Sequence, residues 1–287
     1  MSDLQDPDLV KTPTEESATG RPGRHRSGVG PGPLALVVLL GAIIGLVLFM
    51  VWRGREAPGN TGTTAHAPTA VDVPLPPLGG NPFPVDVPAL DLSDAFVRQW
   101  VPRLSAHPAV AAWLTTDGLI RNFVTVVSNI AEGVTPAGRV QVLKPSGSFR
   151  VVSRGGSLIV DERSFARYDD LAAAFSSIDA STAAQLYATL KPRIEEAAAE
   201  LGAAPGTFDR TLERAFVVLL QTPTSDGPWR VEPWGIGYRF ADVRLDTLSG
   251  AQKHLLRIGP ANARLVQRTL RDLAAALGIP AARLPAT

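Results

Sequence analysis

Nineteen consecutive residues without a charge, LALVVLLGAIIGLVLFMVW from Leu34 to Trp52, constrain this chain more than any other feature. At about 1.5 Å of rise per residue they match a hydrocarbon core about 30 Å thick. A secretory signal has a shorter apolar stretch with a small-residue cleavage site close behind it. The one Ala-x-Ala candidate here, Ala65-His66-Ala67, lies well downstream in Pro/Gly-rich sequence. A buried helix of a soluble core would not run this long without a polar face. The run reads as a single spanning helix. Arg21, Arg24 and Arg26 precede it, and Arg53 and Arg55 follow it. Three against two favours a cytoplasmic N-terminus and an exported C-terminal domain, the topology of an uncleaved signal anchor. Gly41 and Gly45 share one face of the span at GxxxG spacing. Two readings stand: a homodimer through this pair, or two unrelated glycines of the kind common in membrane helices.

The flanks differ from the span in kind. Residues 1–33 are rich in Pro, Gly, Ser, Thr and charge, cannot bury enough surface to offset ordering entropy, and read as a disordered cytoplasmic tail. Residues 53–90 form a second Pro/Gly-rich stretch that reads as a linker. From Asp91 to the C-terminus, 91–287, the composition becomes that of one globular domain. With 28 basic against 27 acidic side chains and few aromatics, the chain lacks the charge and the stacking groups of a nucleic-acid binder. Zero cysteines exclude a disulfide scaffold, a thiol nucleophile and a zinc finger.

Within the domain the apolar period is mostly helical. Phe96, Val97, Trp100, Val101 and Leu104 recur at helical spacing, with Pro102 set to end that helix early. Asp117 is placed to cap a helix bearing Leu119, Ile120, Phe123, Val124, Val127 and Ile130, and Gly133 suits its end. Alternation on either side of Gly155-Gly156, from Gly147 to Asp161, predicts a β-hairpin. A helix over 164–178 follows, then a long one capped by Asp179 and ending at Gly202, another through Phe208 to Leu220, and a breaker-rich loop from Thr222 to Pro233. The last two helices flank Gly259-Pro260. The expected fold is mainly α: a multi-helix globular domain with one small β-hairpin, preceded by a single transmembrane helix.

LIRNFV at 119–124, NIAEG at 129–133, SFARYDDL at 164–171, YRFAD at 238–242 and AQKHLLRIGPANARLVQ at 251–267 resemble the segments of a bacterial membrane-anchored family, domain of unknown function 3014. The resemblance implies a single-span envelope protein of Gram-negative bacteria, in the inner membrane with its C-terminal domain in the periplasm. It supplies no activity and no catalytic residues.

Chemistry is scarce in the residues themselves. His25 and His66 fall in the tail and linker, leaving His107 and His254 in the domain. No GxSxG, HExxH, Walker or dinucleotide glycine pattern occurs, so no catalytic residue, metal ligand or cofactor is assigned. His107, just before Pro108, reads as a turn or capping residue. Arg121, Arg167, Tyr168, Tyr238 and Arg239 read as internal struts, with Asp169 and Asp242 as expected partners. One charge asymmetry stands out: residues 244–287 hold seven basic and two acidic side chains. On the final helix Arg264, Arg268 and Arg271 share a face opposite Leu270, Leu273 and Leu277. That stripe reads either as an ordinary solvated face or as a binding site for an anionic envelope component or an acidic protein surface. The expected function is binding or scaffolding in the envelope. The alternative is an envelope hydrolase acting on cell-wall or lipid substrates, with His107 or His254 as base.

Overall fold

The helical periodicities become ten α-helices among the residues described by a computed structural model, which are 77–135, 145, 147–235 and 237–286. The apolar run Leu34–Trp52, the Gly41–Gly45 pair, His25 and His66 lie outside the described residues. Among the helices inside them, none is long and apolar enough to cross a membrane.

In chain order the helices are α1 Ser93–Trp100, α2 Pro108–Trp113, α3 Leu119–Ala131, α4 Glu162–Ala166, α5 Asp169–Ser176, α6 Ala180–Glu200, α7 Phe208–Leu220, α8 Val243–Asp246, α9 Gly250–Arg257 and α10 Pro260–Leu277. Pro102 ends α1 as its missing N–H requires, in a 3-10 turn over Val101–Arg103. Asp179 caps α6 through Thr182 N–H at 2.7 Å. Ser249 and Gln252 form a reciprocal capping box on α9.

Two helical expectations are corrected. The cap of α3 is not Asp117: its first N–H groups, those of Gly118 and Leu119, donate to the Asp94 carboxylate of α1 at 2.7 and 2.8 Å. A carboxylate at a helix N-terminus also meets the positive end of the dipole, so α1 caps α3 from outside the local sequence. Asp117 instead pairs with Arg98 at 3.0 Å. The single helix expected over 164–178 is two, α4 and α5, because the chain turns at Arg167-Tyr168 and buries the Tyr168 ring.

The main core forms where α3 packs on α6 and α7 while α10 packs on α5, α6 and α7. Leu119, Val124, Phe208 and Ala274 are fully enclosed there. A second, smaller core of Val160, Trp229, Val231, Phe240 and Leu256 lies under the sheet.

The expected lone hairpin is one half of a four-stranded antiparallel sheet. Strands β1 Val151–Arg154 and β2 Ser157–Val160 turn through Gly155-Gly156, both at positive φ as a two-residue hairpin requires. Strands β3 Arg230–Trp234 and β4 Gly237–Phe240 come from sequence read as the end of a loop and its continuation. Pairing of Leu158 with Val231 and Ile159 with Arg230 joins the two hairpins in the order β1-β2-β3-β4. Pro233 disguises β3, since proline inside a run argues against a strand.

The domain also begins before Asp91. Leu78 and Leu90 are buried, and Phe83 lies 4.7 Å from the Trp100 ring. Gly79 N–H donates to Leu277 O at 3.0 Å and Phe83 N–H to Thr189 Oγ1 at 2.8 Å. Residues 77–90, expected as linker, are therefore a leading segment packed on α6 and α10.

At the α9–α10 corner, Gly259 has φ +90°, and a Cβ there would sit 2.6 Å from the Phe165 side chain. Gly202 has φ +85° but open space around it. Gly259→Ala should cost about 3 kcal/mol or more, from strain plus overpacking. Gly202→Ala should cost only about 1 kcal/mol, from backbone strain alone. Urea unfolding of the two variants measures the difference.

Candidate functional site

Alanine-rich turns set the shape of the interior. Ala172 and Ala174 of α5 and Ala183 and Ala184 of α6 line one apolar space between the helices. Ile120 and Phe123 of α3 and Leu171 and Phe175 of α5 face the same space from opposite sides. The result is a partly open apolar pocket of about 610 Å³, with α6 and α10 contributing Leu186, Leu190, Leu273 and Leu277. That volume is in the range of cavities that enclose small organic ligands. Its polar lining is sparse: Asn122, Tyr168, Tyr187 and His254.

Tyr187 connects the cavity wall to a polar knot. Its hydroxyl donates to Asp209 Oδ1 at 2.6 Å, and Asp209 Oδ2 accepts the Leu78 N–H at 3.2 Å and forms an ion pair with Lys191. Burial first, and then the hydrogen bond to Asp209, push the Tyr187 phenol well above its ordinary range. It therefore stays protonated and keeps donating. The knot ties the leading segment, α6 and α7 together beside the cavity. Asp209→Ala removes three partners at once, so the stability of the domain should fall by about 3 kcal/mol in urea unfolding. A chain starting at Asp91, which also lacks Leu78 and Phe83, should be less stable still.

The two histidines part company. His107 caps the start of α2, its Nδ1 accepting Ala109 N–H at 3.3 Å, and its Nε2 stands 3.6 Å from the Asp170 carboxylate. This is the turn role its position before Pro108 suggested. His254, on α9, lines the cavity.

The arginines of α10 lie along one side as the spacing required. Arg264 donates to Thr224 O at 3.0 Å and pairs with Asp226 at 2.7 Å, holding the loop after α7. Gln267 reinforces that hold through Leu219 O and Thr222 O. Arg271 donates to Pro285 O at 3.0 Å and pins the C-terminal residues. Arg268, between them, is exposed.

Of the arginines expected as internal struts, Arg121 and Arg239 pair with other carboxylates and lie half-exposed, at 37% and 42%. Arg121 bonds Glu200 at 2.7 and 2.8 Å and Asp91 at 2.6 Å. Those contacts raise the Arg121 pKa and lower that of Glu200, each through the hydrogen bond between them. Arg167 donates to Ser164 O and Gly147 O and lies over the Tyr168 ring. Arg239 pairs with Glu232. Asp169 instead accepts from Asn262 at 2.8 Å, and Asp242 caps α8 and pairs with Arg244.

Residues 119–274 match the family profile described as Protein of unknown function (DUF3014). The chain belongs to that family. No curated protein and no solved structure matches it. The DUF3014 region takes in α3 and α5, the whole sheet and most of α10, but not Val97, Val101, Leu104, Ala109 and Val110, which also line the pocket. Its boundaries leave out the leading segment and α1, so the residues that complete the core around Leu78, Val97 and Trp100 lie outside the matched region.

Proposed function

We propose that this DUF3014 protein is a binding module of the bacterial envelope whose cavity takes up an apolar ligand of the acyl-chain type. The observation that carries the reading is the cavity of about 610 Å³ lined almost wholly by aliphatic and aromatic side chains. Such walls gain roughly 25 cal/mol for each Å² of apolar ligand surface removed from water. They offer few hydrogen bonds to a sugar, nucleotide or peptide. The run Leu34–Trp52, read as a spanning helix, would hold the module at the inner membrane, with the domain in the periplasm and a source of lipid chains beside it. In this reading the α10 arginines have divided roles: Arg264 and Arg271 brace neighbouring segments, and Arg268 is the member of the stripe offered to an anionic partner.

A long-chain fluorescent fatty acid should bind residues 76–287 saturably and raise their thermal midpoint. Ala172→Phe and Ala183→Phe, which fill the cavity from α5 and α6, should weaken that binding at least tenfold while leaving helicity unchanged. Titration followed by fluorescence measures both. Non-saturable binding, or equal affinity in the filled variants, would sink the proposal.

His254 on the cavity wall supports a second reading, the hydrolase. A base there would act on an ester drawn into the cavity. Long-chain nitrophenyl esters distinguish the two: turnover abolished by His254→Ala supports hydrolysis, and tight binding without turnover supports uptake alone.

A further inference from the structure

The antiparallel register sorts the sheet onto two faces. Leu158, Val160, Val231, Tyr238 and Phe240 face the small core. The alternate positions carry Val152, Arg154, Arg230, Glu232, Trp234 and Arg239, all exposed. Ile159 is buried between its register partners Val152 and Arg230. The Trp234 side is the least ordinary part: its residue is 58% exposed, and the Arg239 guanidinium lies 4.5 Å from the ring centroid. Arg239 also pairs with Glu232 at 3.1 Å, the sole acid among these positions. The face thus presents three arginines, one carboxylate and a solvent-facing indole.

That combination has a chemical preference. Guanidinium groups pair with phosphate oxygens in a bidentate fork, and an indole settles at the level of lipid headgroups, with its apolar body inward and its N–H wet. We infer that the outer face of the sheet docks on anionic phospholipid headgroups of the bilayer that anchors the chain. The inference rests on the reading of Leu34–Trp52 as a spanning helix and is independent of the cavity's ligand. Read as a linker, the chain between Trp52 and Leu78, the first residue seated in the core, would reach roughly 25–30 Å as a coil and at most about 80 Å as a polyproline-type extension. A tether that short keeps the surface at an effective concentration in the millimolar range. Attraction of about fivefold for each arginine is then enough to hold the face down. A domain lying on this face stays beside the lipid phase.

The chain has no cysteine, so Ser157→Cys, on the same face beside Arg154, places one fluorophore there. The full chain is reconstituted in vesicles of phosphatidylcholine alone, or with a third of the lipid replaced by phosphatidylglycerol. Both carry a headgroup-labelled acceptor. Energy transfer should be at least threefold greater with phosphatidylglycerol and should fall to the neutral level at high salt. It should also fall to that level in the Arg154→Glu, Arg230→Glu, Arg239→Glu chain, and partly in Trp234→Ala. These side chains are exposed, and circular dichroism checks that the variants keep the fold. Equal transfer in the two compositions, or undiminished transfer in the triple variant, overturns the inference. Flotation with the neutral vesicles reads the anchor separately, so failure of the span and failure of the docking face are told apart.

Discussion

The amide of Asn262, in the first turn of α10, joins the two halves of this fold. Its nitrogen donates to Asp169 Oδ1 at 2.8 Å, Ile258 O at 3.0 Å and Phe165 O at 3.3 Å, so two hydrogens are shared among three acceptors at a residue only 8% exposed. Gly259 presses against Phe165 a few residues earlier, and Phe165 meets Trp229 edge-on at 5.3 Å. One corner therefore touches the helical core through α10 and the sheet core through Phe165. A buried acceptor left unpaired costs about 1–3 kcal/mol, so the three partners are held to one arrangement. That arrangement fixes α5 along α10, and α5 is a wall of the cavity.

The opposite side is closed by a second polar knot of different character. Asp209 gathers the Tyr187 hydroxyl, the Lys191 ammonium and the Leu78 N–H, one group from the helical core, one charge and one backbone donor from the leading segment. Asp209 itself lies 131 positions from Leu78 in sequence. The leading segment is seated on the core by a side chain that would otherwise need water to satisfy it. The N-terminal end of the described domain is thus fastened to α7, ahead of Asp91.

Much of the helical part was legible because its signals are local. Asp179 before α6, the Ser249/Gln252 box before α9, Gly259-Pro260 between α9 and α10, and Gly155-Gly156 in the hairpin each act within a few residues. What escaped is non-local. Asp94 capping α3 spans some two dozen positions, and no pattern within α3 itself announces it. β3 carries Pro233 and pairs with β2 across four intervening helices, so periodicity alone reads it as a loop. The ion pairs show the same limit: Arg121 is an obvious strut, yet its partners Glu200 and Asp91 are set by how α3 meets α6 and the leading segment. The arginine stripe of α10 was legible as geometry, while the bracing by Arg264 and Arg271 depends on where two later-placed segments run.

The cavity was the least legible feature, and the reason is physical. An alanine on a helix reads as a good helix former and nothing more. Whether Ala172 or Ala184 packs against a neighbour or borders the pocket depends on how α3, α5 and α6 are spaced, and α5 and α6 are both packed on α10. The same alanines that lower the cost of forming α5 and α6 also keep short the side chains that border the pocket. Leucine at these positions is compatible with helical propensity and would take up part of the pocket. Small residues at Ala172, Ala174, Ala183 and Ala184 therefore accompany the pocket, while Asn262 and Asp209 hold in register the helices that line it.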